Sequence, residues 1–155
     1  MDIRLRSATE KDYPEIIGMI TELAFFEKAP ERMTNTVEQM KEEKDLFQCI
    51  MAEDNDGNIL GMALYFFAYF TWVGKSLYLD DLYVKEQYRG NGVGKILLRE
   101  LMNVALNENC KRVRWQVLDW NTNAIELYRK SGATLDDEWL NCDFEHEQIQ
   151  NFQLD

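Results

Sequence analysis

The residues best suited to chemistry form one run, Tyr88-Arg89-Gly90-Asn91-Gly92-Val93-Gly94-Lys95-Ile96-Leu97. Three glycines, an arginine and a lysine lead straight into an apolar helical pattern. Such a run can hold a phosphate. The first N–H groups of a helix have no internal partner and carry a partial positive charge. Glycines let the backbone approach an anion closely. Two common phosphate loops do not fit. Three residues, not four, separate Gly90 from Gly94-Lys95, and Ile96 stands where a P-loop needs Ser or Thr for magnesium. The glycines fall as G-x-G-x-G rather than as the dinucleotide fingerprint, and several strands precede them. Just upstream, Leu77-Tyr78-Leu79-Asp80-Asp81-Leu82-Tyr83-Val84 reads as a strand, so strand, glycine loop and helix start make an anion cradle. The alternation of that strand falters at Asp80-Asp81. Two adjacent acids put one carboxylate on each face, or mark a bulge.

The rest of the chain must position these groups. Its 155 residues, 46% hydrophobic and 29% charged, suit one globular domain over 1–155. The net charge of −11 argues against nucleic acid or an anionic membrane as partner and favours cationic ones. Lys85, Arg89 and Lys95 must offset that field around the cradle. Cys49, Cys110 and Cys142 are odd in number and widely spaced; they read as buried apolar fillers in a reducing, cytoplasmic compartment. His146, the only histidine, lies in a polar tail without a ligand-spaced partner, so no metal site is expected. The start shows no signal peptide.

Ile3–Arg6 alternates as a strand, and Thr9 opens a helix carrying Ile16, Ile17, Ile20 and Leu23 on one face, ending near Phe25-Phe26-Glu27. A short helix is expected at Val37–Lys44, a strand at Leu46–Ala52, and a hairpin at Asn55-Asp56-Gly57-Asn58. Gly57–Gly74 lacks charge, yet its aromatics and the Asp-Gly turn favour a long strand over a membrane span. After the cradle come a helix to about Asn107, a strand at Val113–Leu118, a helix capped by Asn121 and ended by Gly132, and a final strand at Trp139–Phe144. The fold class is therefore α/β (α+β): one mixed sheet with helices on both faces.

Arg89-Gly90-Asn91-Gly92-Val93-Gly94 resembles the Arg/Gln-x-x-Gly-x-Gly/Ala signature of the GNAT superfamily of acetyltransferases. Tyr78–Val84, Glu86–Gly94, Val117-Leu118-Asp119-Trp120-Asn121, Leu127-Tyr128-Arg129-Lys130-Ser131-Gly132-Ala133 and Glu22–Glu27 together are similar to the spermidine/spermine N-acetyltransferase family, nearer its thialysine branch. The resemblance implies the GNAT fold and a homodimer that moves acetyl from acetyl-coenzyme A to a primary amine of a small cationic substrate. By position, Tyr128 is the general acid for the departing thiolate. Leu82, Tyr83 and Val84 offer strand backbone to the pantetheine arm. Arg89, Gly90, Asn91, Gly92, Val93, Gly94 and Lys95 hold the diphosphate, and Asn121, Thr122, Asn123 and Ala124 touch the cofactor further along. Phe26, Glu27, Asp80, Asp81 and Trp72 line the amine site. Polyamine-preferring members carry an acid where Phe70 stands here, which points to a shorter amine.

The amine chemistry stands on general grounds. An alkylammonium of pKa ~10.4 costs about 4–5 kcal/mol to deprotonate at pH 7. Acids at Glu27, Asp80 and Asp81 attract the cation and raise its pKa, so a carboxylate must also take the proton, through water. A phenol near pKa ~10 is a usable donor to a thiolate of basicity ~8.5. A peptide N-acetyltransferase and a non-catalytic coenzyme A-binding module on the same fold are the alternative readings.

Overall fold

Alternation of apolar residues sets the sheet, and its two faces determine where the helices go. In the computed structural model, which describes residues 1–154, the chain falls into two compact units, Met1–Gln116 and Val117–Asp155. The first unit contains β1 (Arg4–Ser7), α1 (Tyr13–Phe26), α2 (Val37–Glu42), β2 (Gln48–Glu53), β3 (Ile59–Phe70), β4 (Gly74–Val84), α3 (Val93–Asn107) and β5 (Arg112–Arg114). The strands form one sheet in the order β1-β2-β3-β4-β5, antiparallel except for the parallel β4–β5 pair. This is the expected mixed sheet, and the uncharged segment is the strand β3.

Odd and even positions of the strands go to opposite helices. Cys49, Met51, Met62, Leu64 and Tyr83 meet Tyr13, Ile16 and Met19 of α1 and Met40 of α2. Ile50, Ala52, Leu77 and Leu79 face the other way, onto Val93, Leu97, Leu101 and Ala105 of α3. The start of α1 is tied to the sheet by Arg6, which donates to both carboxylate oxygens of Asp12 at 2.8 Å and to Glu53 at 2.7 Å. That pairing pulls the Asp12 carboxyl down to about 2.

One irregularity shapes the site. Consecutive residues Leu64 and Tyr65 of β3 pair with Asp81 and Leu79 of β4, so Asp80 is an extra residue in the ladder. This is the bulge that the acid pair suggested. Leu77, Leu79, Leu82 and Val84 all lie on the α3 side. Two residues rather than one therefore separate Leu79 from Leu82, and both are acids on the side of α1. A bulge also turns a strand away from its neighbour. Pairing with β5 is confined to Ser76–Tyr78, which leaves the 79–84 edge of β4 outside that ladder.

The same bend explains one correction. A strand was expected at Val113–Leu118, but only Arg112–Arg114 finds a partner. In the second unit, α4 (Thr122–Lys130) and α5 (His146–Gln150) form. The expected final strand at Trp139–Phe144 does not; the segment has no regular structure, and the supposed polar tail starts with α5. The apolar residues there suit a strand, but a strand exists only where a ladder partner lies alongside. Cys142 is exposed rather than buried, Cys110 is half-buried, and only Cys49 is the core filler expected of all three. Among the described residues no helix is long and apolar enough to cross a membrane.

Candidate active site

The cradle forms at the start of α3. Gly90 and Gly92 have φ of +80° and +81°, where a side chain costs about 1–2 kcal/mol. A Cβ built on either would meet nothing within 4 Å, so the space above the loop is open. Gly92 is the N-cap, and no side chain caps the helix. The first intrahelical bond runs from Ile96 N–H to Gly92 O at 3.1 Å. The N–H groups of Val93, Gly94 and Lys95 thus precede the ladder, as an anion site requires. Asn91 is exposed, and its amide donates back to Tyr88 O at 3.1 Å, so it shapes the loop. Val93 is buried under the sheet and fixes the helix start. Lys95 is exposed, whereas Lys85 is taken up by an ion pair with Glu15 and is lost to the cradle. These features fit the diphosphate of a coenzyme A thioester. The 82–84 edge of β4 beyond the β5 ladder fits an arm that needs backbone partners.

The second part of the site is acidic. Glu27 caps the C-terminus of α1, and the next residue, Lys28, sits in the left-handed region at φ +62° and turns the chain there. Glu27, Asp80 and Asp81 are close enough for their charges to interact. Burial pushes the half-buried Asp81 carboxyl up to about 7, helped by the charges of Asp80 and Glu27. Burial also raises Glu27, with Asp80 adding to the rise, and burial alone raises Asp80. Both of those residues keep exposed surface, and Asp81 is the most strongly perturbed of the three. None of the hydrogen bonds among the described residues engages the Asp81 carboxylate. Among the described residues no group of three or more His, Cys, Asp or Glu is placed to hold a metal ion.

Two contacts at this site had no sequence signal. The Tyr83 hydroxyl donates to Glu22 Oε2 at 2.7 Å, fastening β4 to α1. Arg89 donates from Nε to Val84 O at 3.0 Å and lies over the rings of Tyr83 and Phe26, at 5.6 and 5.9 Å. The first residue of the cradle motif thereby touches the end of α1 that carries Phe26 and Glu27. Tyr83 with Glu22, and Arg89 with Phe26, join residues far apart in the chain, which spacing cannot reveal. Trp72 stands apart. It is 82% exposed at the tip of the β3–β4 hairpin, and the six steps from Gly74 to Asp80 span roughly 20 Å of strand.

Asn121–Ala124 and Tyr128 belong to the second unit. Asn121 is the N-cap of α4, its side chain accepting from Ala124 N–H at 3.4 Å. Gly132, at φ +96°, ends the helix as expected. Tyr128 is half-buried, and burial raises its phenol above the ordinary value of 10. It stays protonated through neutral pH. Cys49, pushed up to about 12 by burial, has no thiolate to offer as a nucleophile.

Known proteins identify the family and the fold. Residues 9–133 match the acetyltransferase (GNAT) family. The thialysine N-epsilon-acetyltransferase of Mus musculus is 38% identical, with 95% of each chain covered. The spermidine/spermine N(1)-acetyltransferase-like protein 1 of Homo sapiens is 36% identical over 84% of this chain and 20% of its own length. The crystal structure of an aminoglycoside acetyltransferase from an uncultured soil metagenomic sample superposes with a TM-score of 0.74 at 16% identity, covering 92% of this chain and 95% of the other, and so shares the fold. With the cradle, the open strand edge and the matched family in agreement, this chain belongs to the GNAT family and is an acetyltransferase.

Proposed function

We propose that this enzyme transfers acetyl from acetyl-coenzyme A to the primary amine of a small cationic substrate, a lysine analogue such as thialysine or a short diamine, by direct attack in a ternary complex. The observation that carries this reading is the bulge in β4, which turns Asp80 and Asp81 together toward Glu27 beside the open strand edge. Three interacting carboxylates hold an ammonium ion. The family model spans both units, which supports reading 1–155 as one transferase domain.

The chain's own residues then have distinct tasks. The N–H groups at 93–95 and the Lys95 ammonium bind diphosphate. Leu82–Val84 offer backbone to the pantetheine arm, and Asn121–Ala124 contact the cofactor further along. The coenzyme supplies an acyl group activated as a thioester. Glu27 and Asp80 attract the substrate cation, with Phe26 against its chain. Asp81 receives the ammonium proton, directly or through one water. A base near 7 is matched to neutral pH, being about half ionised yet basic enough to accept. Tyr128 keeps its proton for the leaving sulfur.

Tyr128→Phe is expected to lower kcat by about ten- to a hundredfold with little change in the amine KM, in steady-state assays of thiol release. Unchanged turnover would remove the phenol from the reaction. An amine panel of thialysine, lysine, putrescine, spermidine and short peptides tests the substrate class. Preference for peptides would favour a protein N-acetyltransferase instead.

Two further readings belong to the same proposal. Trp139, Leu140, Phe144, Ile149, Phe152 and Leu154 are each more than half exposed in the second unit, which supports a homodimer that covers them. Sedimentation equilibrium should then give twice the 18.3 kDa chain mass, and a monomer at micromolar concentration would refute it. Three free cysteines support a reducing, cytoplasmic setting.

A further inference from the structure

On the side of the sheet that carries the acids, the row of residues continues toward the hairpin as an aromatic floor. Phe66 and Tyr78 stack at 5.1 Å with an interplanar angle of 22°. Tyr78 pairs across the ladder with Arg114 of β5, which puts the two side chains on the same face. Beyond them, Phe70 carries two guanidinium groups, Arg114 at 4.6 Å and Arg112 at 5.6 Å. The acids and the arginines meet at Tyr78, whose hydroxyl is within electrostatic reach of Asp80, Arg114 and Asp81.

This arrangement is polar in one direction. Acids stand at one end of the floor and two cations at the other. The chain has a net charge of −11, yet Arg112 and Arg114 have no carboxylate partner among the described residues. Two like charges on one ring repel, and a ring offers much less than an ion pair. An anion arriving there would relieve the repulsion. Its spacing from the acids is also informative. Asp80 lies two residues along β4 from Tyr78 and one strand across from Arg114, so their Cα atoms are roughly 8 Å apart. The guanidinium, turned onto Phe70 on the hairpin side, stands farther from the acids than that and meets a carboxylate of this reach by swinging back over Tyr78. The six bonds from the side-chain nitrogen of a lysine-sized amino acid to its carboxyl carbon span roughly 7–8 Å.

We propose that Arg114, with Arg112 beside it on the Phe70 ring, reads the carboxylate of an amino-acid substrate whose side-chain ammonium sits among the acids. This inference rests on the reading above that those acids hold the reacting amine. It makes Arg114, Arg112 and Phe70 the residues that separate a side-chain-aminated amino acid from a carboxylate-free diamine. Guanidinium meets carboxylate through paired N–H donors, a geometry that a neutral amide end cannot reciprocate.

The test compares L-thialysine with its α-carboxamide and with the decarboxylated diamine, using wild type, Arg114→Gln and Arg112→Gln, by thiol release from acetyl-coenzyme A. Wild type is expected to use thialysine about ten- to a hundredfold better than either carboxylate-free analogue, chiefly through KM. In Arg114→Gln that advantage shrinks to about threefold or less through loss on thialysine alone. Retained activity on the carboxamide shows that the variant folds and the amine site is intact. Phe70→Asp, which would pair the two guanidiniums internally, should also erase the advantage. Equal use of all three substrates by wild type, or an equal loss on all three in Arg114→Gln, overturns the carboxylate-reading role while leaving amine acetylation standing. Failure of wild type to acetylate any of them removes the amine reading, and this inference with it.

Discussion

Asp81→Asn is expected to lower kcat/KM for the amine at least a hundredfold and, at pH 8, to raise the melting temperature. Both effects come from one carboxylate. As the proton acceptor, Asp81 contributes about 10²–10⁴ in rate. As a half-buried charge beside Glu27 and Asp80, it costs stability. Its folded pKa of about 7 lies above the unfolded value near 3.9. Between those two values the native state holds more protons than the unfolded state, so stability falls as pH rises through that window. Above about 7 the full penalty is present. Below about 4 both states are protonated and it vanishes. A three-unit shift bounds the cost at roughly 4 kcal/mol, and partial exposure reduces it. Asparagine removes the charge with little change of shape, so a gain of about 3–8 °C is expected at pH 8, shrinking toward zero near pH 4. Calorimetry at the two pH values reads this directly. A variant no more stable than wild type at pH 8 would mean that Asp81 is not under electrostatic strain.

The second large effect is on the cofactor. Gly92→Asp is expected to weaken acetyl-coenzyme A binding at least a hundredfold, about 2.7 kcal/mol, by isothermal calorimetry. The carboxylate would stand at the N-cap of α3, where the unpaired N–H groups point. It would compete for those donors and repel the diphosphate across a few ångströms. Strain at φ +81° adds about 1–2 kcal/mol of instability, and this must be separated from the binding loss. Gly57→Asp supplies the control. Gly57 has φ +83° in the β2–β3 turn, with open space around it and no part in the cradle. It should lose stability and keep its affinity. If Gly92→Asp binds the cofactor within threefold of wild type, the diphosphate lies elsewhere.

The cradle was legible because everything that makes it is local. Gly90, Gly92 and the apolar spacing of Val93, Leu97 and Leu101 act within a dozen residues. The capping of α4 by Asn121 and its ending at Gly132 were readable for the same reason. The acid site was half legible. Asp80-Asp81 announced an irregular strand, but register depends on two strands at once, and only the pairing with Leu64 and Tyr65 shows the extra residue to be Asp80. The perturbation of Asp81 follows first from burial, which only the fold creates, and then from the charges of Asp80 beside it and of Glu27, more than fifty positions away in the chain. Trp139–Phe144 carries the pattern of a strand without a ladder partner. Lys85 counted as a cradle cation until Glu15 of α1 took it.

The central claim is that the acids bind the substrate as an ammonium ion and that Asp81 takes its proton. It is tested most directly by the pH dependence of kcat/KM for the preferred amine in the wild-type enzyme. The account predicts a rise with unit slope up to about 7, a plateau, and a fall above the ammonium pKa of about 10. A rate that climbs without a break near 7 until the free amine predominates would contradict it, because the enzyme would then be taking the neutral amine from solution.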